Sequence, residues 1–106
     1  MIPMSKWIGE QNPIIRRRIG KLGEECAELM KVLHRVDLQG IDGIDPATGK
    51  ANRRCLAEEI ADVLAQLDCC IAENGLSLDS EFILHRRLDK RAQMRRWESL
   101  YTSPEN

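Results

Sequence analysis

Residues 21–36 read KLGEECAELMKVLHRV, and residues 55–70 read CLAEEIADVLAQLDCC. Each stretch carries the pattern E-E-x-x-acid: Glu24, Glu25 and Glu28 in the first, Glu58, Glu59 and Asp62 in the second. Each pattern lies among leucines and alanines at helical spacing. Two acid-bearing amphipathic helices joined by a loop therefore set the fold class, and the rest of the chain is read outward from them.

The first helix starts at Asn12-Pro13, with asparagine at the cap and proline at the first helical position. It is expected to run from Pro13 to about Asp37. Its apolar positions Ile15, Ile19, Leu22, Cys26, Leu29, Leu33 and Val36 alternate steps of four and three, a narrow seam of coiled-coil type. Residues 38–51, LQGIDGIDPATGKA, break the pattern with glycines, aspartates and a proline. This loop is longer than most helix–helix connections. It reads either as a mobile flap or as an ordered spacer.

The second helix is expected from about Asn52 to Asn74, with Gly75 as its C-cap. Its main seam is Leu56, Ile60, Val63, Leu67 and Cys70. Ala57, Ala61, Leu64 and Ile71 form a second row, so this helix should be covered from two sides. Ser77 can cap a third helix, with Asp79 and Glu81 in its first turn. That helix should reach about Glu98, with Phe82, Leu84, Leu88 and Ala92 making apolar contacts. Residues 1–12 form a lead-in, where Ser5 can cap a brief turn carrying Trp7 and Ile8. The tail after Leu100 should fray. The expected architecture is all-α: an antiparallel helical bundle of three main helices in a single domain spanning 1–106, with its core at 13–98.

The totals agree with that class. The chain has 106 residues, enough for one core, and aromatic residues make up only 4%. Charged residues are 31% and nearly balanced, leaving a net charge of −1. That balance gives no general attraction to nucleic acid or membrane. No apolar run is long enough to span a bilayer, and the start MIPMSKWIGEQ lacks the apolar core of a signal peptide. A cytoplasmic location is the expectation. None of the cysteines 26, 55, 69 and 70 makes a C-x-x-C pair, and the two histidines have no zinc-like spacing to them. They read as small reduced thiols, Cys26 and Cys70 on buried apolar faces.

A helix turns about 100° per residue. From Ile15, Glu25 lies at about −80° and Glu28 at about −140°; from Leu56, Glu59 lies at about −60° and Asp62 at about −120°. Both pairs occupy the same flank of their seams. Antiparallel neighbours bring such flanks together, and consecutive helices are usually antiparallel. Glu25, Glu28, Glu59 and Asp62 are therefore expected to converge, while Glu24 and Glu58 point to solvent. Converging carboxylates need a proton or a cation. Oxygen ligands select hard ions, Mg²⁺ or Mn²⁺, and Mg²⁺ commonly shares its shell with phosphate. The plainer reading is a set of solvated surface acids, with Lys21 pairing to Glu25 one turn away.

The third helix carries Arg86, Arg87, Lys90, Arg91, Arg95 and Arg96. Arg87, Lys90, Arg91 and Arg95, together with Lys21, are candidates for contacting a polyphosphate at the metal. They can equally form a solvated basic face. Base-reading residues and interleaved aromatics are absent, which argues against nucleic acid. Trp7 or Trp97 can stack on a nucleobase or simply pack.

At KLGEECAEL and LAEEIADVLAQL the chain resembles the MazG-like family of all-α nucleoside triphosphate pyrophosphohydrolases. GLSLDSEF and the basic helix after it resemble the following segment of that family, so the likeness covers roughly 14–98. It implies Mg²⁺-dependent cleavage of a (d)NTP between the α- and β-phosphates, giving the monophosphate and pyrophosphate. It implies Glu25, Glu28, Glu59 and Asp62 as metal ligands and catalytic groups, and Arg87, Lys90 and Arg91 at the phosphates. It also implies a bundle completed by oligomerisation, as a homodimer or homotetramer, with the wide face of the second helix in a subunit interface. A phosphoribosyl-ATP pyrophosphohydrolase shares this architecture. A non-catalytic dimeric helical module is the reading from a different class.

Overall fold

The computed structural model describes residues 7–73, 76 and 78–101. The described residues form three helices: α1 (Pro13–Gln39), α2 (Asn52–Ala72) and α3 (Ser80–Tyr101). Among the described residues no strand forms beyond one bridge between Ile44 and Ala51. The expected caps at Ser5, Gly75 and Ser77 lie outside the described residues.

Helix α1 begins as its sequence dictates. The Asn12 side chain accepts from the backbone of Ile14 and Ile15, and Pro13 fills the first turn. It runs two residues past the expected Asp37 and stops at Gly40, whose φ of 88° favours glycine. Helix α2 ends earlier than expected: Glu73 occupies the cap position and donates its backbone N–H to Cys69. Asp79 precedes helix α3, and its carboxylate accepts from the Phe82 backbone at 3.0 Å. Aspartate therefore serves as cap where a first-turn position was expected for it.

Helices α1 and α2 pack along their length. Arg18, near the start of α1, donates to Glu73 after α2 at 2.8 Å. Arg35, near the end of α1, donates to Asn52 at the start of α2 at 2.9 Å. The packed face differs from the expected seams. On α1 it is Ile15, Arg18, Leu22, Glu25, Leu29, Val32 and Val36; on α2 it is Asn52, Leu56, Glu59, Val63, Gln66 and Cys70. Both faces are turned about 50° toward the acidic flank. Ile19, Cys26 and Leu33 are exposed instead, as are Ile60 and Leu67.

The cause is visible along α2: Asn52, Glu59, Gln66 and Glu73 recur every seventh residue. They place polar groups inside the contact and displace the apolar rows outward. The exposed positions of both helices then share one flank of the pair, opposite the acids. Leu33 is 47% exposed and Leu64 is 52% exposed on that flank.

Segment 40–51 is an ordered connection. Asp45 accepts from the Ala47 backbone at 3.0 Å and from the Thr48 hydroxyl at 2.9 Å. Its own N–H reaches the Lys50 carbonyl at 2.8 Å. Asn52 is fully buried; its side chain donates to the Gly40 carbonyl at 3.0 Å and to Gln39 at 3.3 Å. Gly43 is required beneath it, since a Cβ there would lie 2.9 Å from the Gln39 carbonyl oxygen.

Helix α3 does not pack on the other two to a comparable extent. Its expected contacts Phe82, Leu84 and Leu88 are exposed. Among the described residues only Val32, Cys55 and Cys70 are buried apolar side chains. The radius of gyration is 18.7 Å, against roughly 13 Å for a compact domain of this length. Among the described residues, most large apolar side chains of α3 and many on α1 and α2 are exposed.

Candidate functional site

The rotation of both packed faces carries Glu25 and Glu59 from the flank into the contact. Glu25, Glu59 and Asp62 offer carboxylate oxygens that all lie within 4.8 Å of one another. Glu25 and Glu59 are half-buried, and Asp62 is exposed at the edge. Three of the four expected acids therefore meet. Glu28 stands outside the cluster, 3.7 Å from Lys31. Its angular position is farther round the helix, and the rotated face leaves it at the rim.

Glu59 is the electrostatic centre of the group. Burial pushes its carboxyl above the usual range, and the nearby charges of Asp62, Glu28, Glu25 and Glu58 push the same way. Its Oε2 is buried with no hydrogen-bond partner among the described residues. A buried carboxylate oxygen without a donor calls for a proton or a cation. The three side chains form an all-oxygen donor set, which suits hard divalent ions.

The neighbouring acids are neutralised differently. Lys21 lies 3.4 Å from Glu25 and 3.5 Å from Glu24, and hydrogen bonding to Glu25 holds its ammonium above the usual range. Glu24 is exposed, as expected. Glu58 is not simply solvated: Arg54 donates to it at 2.9 Å and Lys50 at 3.2 Å. Those two cations, Arg54 foremost, hold its carboxyl below the usual range.

A pocket of about 270 Å³ adjoins the cluster, between α1, segment 40–51 and α2. Glu28, Lys31 and Arg35 line it from α1, Thr48 and Lys50 from the segment, and Cys55 and Glu59 from α2. Glu59 thus belongs to both the pocket and the carboxylate cluster. The sequence reading did not single out Arg35, Lys50, Thr48 or Asn52. The turn residues Asp45-Pro46 and the sevenfold polar spacing of α2 were the available signals.

The α3 candidates are placed elsewhere. Arg87, Lys90, Arg91 and Arg95 line a furrow of about 530 Å³ with Met94 and Glu98, all on α3 itself. Among the described residues no ion pair joins them to Glu25, Glu59 or Asp62. Trp7 is fully exposed ahead of α1, and Trp97 is half exposed on α3. No helix among the described residues is long and apolar enough to cross a membrane.

Comparison with protein-family models, with curated proteins and with solved structures found no match to this chain.

Proposed function

We propose that this chain is a Mg²⁺-dependent nucleoside triphosphate pyrophosphohydrolase, splitting a (d)NTP into the monophosphate and pyrophosphate. The observation that carries the reading is the convergence of Glu25, Glu59 and Asp62, with Glu59 Oε2 buried and without a hydrogen-bond partner among the described residues. The paired E-x-x-E and E-x-x-D stretches, with their likeness to the MazG-like enzymes, give the reaction class.

Glu25, Glu59 and Asp62 would hold Mg²⁺ or Mn²⁺. The bound ion supplies charge neutralisation and a more acidic water. Glu28, beside the cluster but outside it, would accept the proton of the attacking water. Lys21, 3.4 Å from Glu25, would give way to the ion. The reading extends to an antiparallel bundle completed by a second copy. The apolar flank carrying Leu33 and Leu64 is the surface to be covered, as a homodimer or within a tetramer. Arg87, Lys90, Arg91 and Arg95 would then reach the polyphosphate across the subunit boundary.

The test is pyrophosphate release from a panel of ordinary and modified nucleotides, with Mg²⁺ and with chelator. Turnover should need the metal and vanish in Glu59→Gln with the helical circular dichroism retained. Turnover of no nucleotide, with a melting temperature unmoved by Mg²⁺, would replace this reading with a non-catalytic helical module.

A further inference from the structure

The pocket beside the carboxylates contains cations held in two different ways. Arg35 is fixed. Its Nε donates to Asn52 Oδ1 at 2.9 Å, and its Nη1 lies 3.7 Å from Asp45. Both anchors are themselves held, Asn52 by Gln39 and Gly40, Asp45 by Ala47 and Thr48. The side chain is three-quarters covered, and its Nη2 makes no hydrogen bond among the described residues. A planar guanidinium set in place matches the paired oxygens of a phosphate.

Lys31 and Lys50 sit at the rim on long exposed stems, paired with Glu28 and Glu58. Exposed pairs of this kind are worth little and exchange partners readily. Glu58 keeps Arg54 when Lys50 leaves. Glu28, Asp45 and Glu58 each already face a cation. The one lining acid without a basic partner among the described residues is Glu59, which belongs to the metal candidate. At about 270 Å³ the pocket falls just under the roughly 300–1,000 Å³ of sites that enclose a whole drug-sized ligand. It fits one group of a larger molecule.

The geometry points to an anion subsite in which Arg35 is the fixed donor and Lys31 and Lys50 are mobile donors. It takes one phosphate group of a polyphosphate whose neighbouring group lies at the carboxylate cluster, across Glu59. This inference rests on the metal-dependent reading above. It assigns to Arg35, Lys31 and Lys50 a phosphate-binding role that the sequence reading gave to α3 and Lys21.

Methylenediphosphonate, which cannot be cleaved, is the probe. Calorimetry on the full chain would measure its affinity with Mg²⁺ present, and a separate titration would measure Mn²⁺ alone. Arg35→Met should weaken diphosphonate binding roughly tenfold or more while leaving Mn²⁺ affinity unchanged. Arg35→Lys should recover part of the loss. Because Arg35 also anchors the segment, Lys31→Met/Lys50→Met serves as a second variant that removes only rim contacts. It should weaken binding and flatten its salt dependence. Arg17→Met, which removes the same charge far along α1, should bind as the wild type does. If Mn²⁺ binds but Arg35→Met and the double variant hold the diphosphonate as tightly as the wild type, the subsite is wrong and the metal reading stands. If the wild type binds no Mn²⁺, the metal reading fails and takes the subsite with it.

Discussion

Glu59 is a carboxylate whose surroundings favour its neutral form. Its folded pKa is raised, so the folded chain binds the proton more tightly than the unfolded chain does. Stability from this group is therefore present below its usual value and is lost as pH rises through the folded one. Glu59→Gln should raise the metal-free melting temperature at pH 7 and abolish the upward shift expected for the wild type on adding Mg²⁺. Differential scanning fluorimetry with and without Mg²⁺ checks both. Asp45 behaves oppositely. The Ala47 N–H and Thr48 hydroxyl hold its carboxyl low, so its contribution is intact above the usual aspartate value and is lost as pH falls through the folded one. The amides of residues 47 and 49 should lose hydrogen-exchange protection over that acid range, and Asp45→Asn should show weaker protection already at neutral pH. The identity of the converging acids was legible to within one residue. Angular arithmetic on ideal helices placed Glu25, Glu59 and Asp62 together but also included Glu28, the acid farthest round its helix from the contact face.

The three helices themselves were readable from spacing and caps. Asn12-Pro13 gave one start, and the Asp45-Pro46 and glycine cluster gave the break before Asn52. What could not be read was the packed face. Apolar periodicity identified Ile19, Cys26 and Leu33 as core, whereas the contact between α1 and α2 admits Arg18, Glu25, Asn52 and Gln66. A rule that sends polar residues outward fails where hydrogen bonds cross the seam, as from Arg18 to Glu73 and from Arg35 to Asn52, and where Gln66 Oε1 is buried without a partner among the described residues. Asn52 is the clearest case: read as a helix start, it is a fully buried junction between α1, segment 40–51 and α2. Asn52→Ala would leave the Gly40 carbonyl and Arg35 short of partners. It should cost about 1–3 kcal/mol, seen as a lower urea midpoint with unchanged slope. Asn12→Ala removes one exposed cap and should cost nearer ~1 kcal/mol. The ordering of the two losses is the informative result.

At the scale of the molecule, the chain has helices and a site but little interior. Its apolar flank bears Leu33 and Leu64, and a partner covering them would recover roughly 1.5–3 kcal/mol for each leucine buried. The melting temperature of the wild type should therefore rise with protein concentration. Leu33→Glu/Leu64→Glu should scatter light as a monomer and melt lower, at a temperature independent of concentration. A wild type that is monomeric throughout would remove the second copy from the proposal. The recurrence of Asn52, Glu59, Gln66 and Glu73 has one more consequence. A lane of polar groups repeated every seven residues looks the same to α1 after α2 slides by a full repeat, about 10 Å. The seam alone thus permits more than one register. The junction where Asn52 grips the Gly40 carbonyl is what pins the slide, and with it which acid stands opposite Glu25.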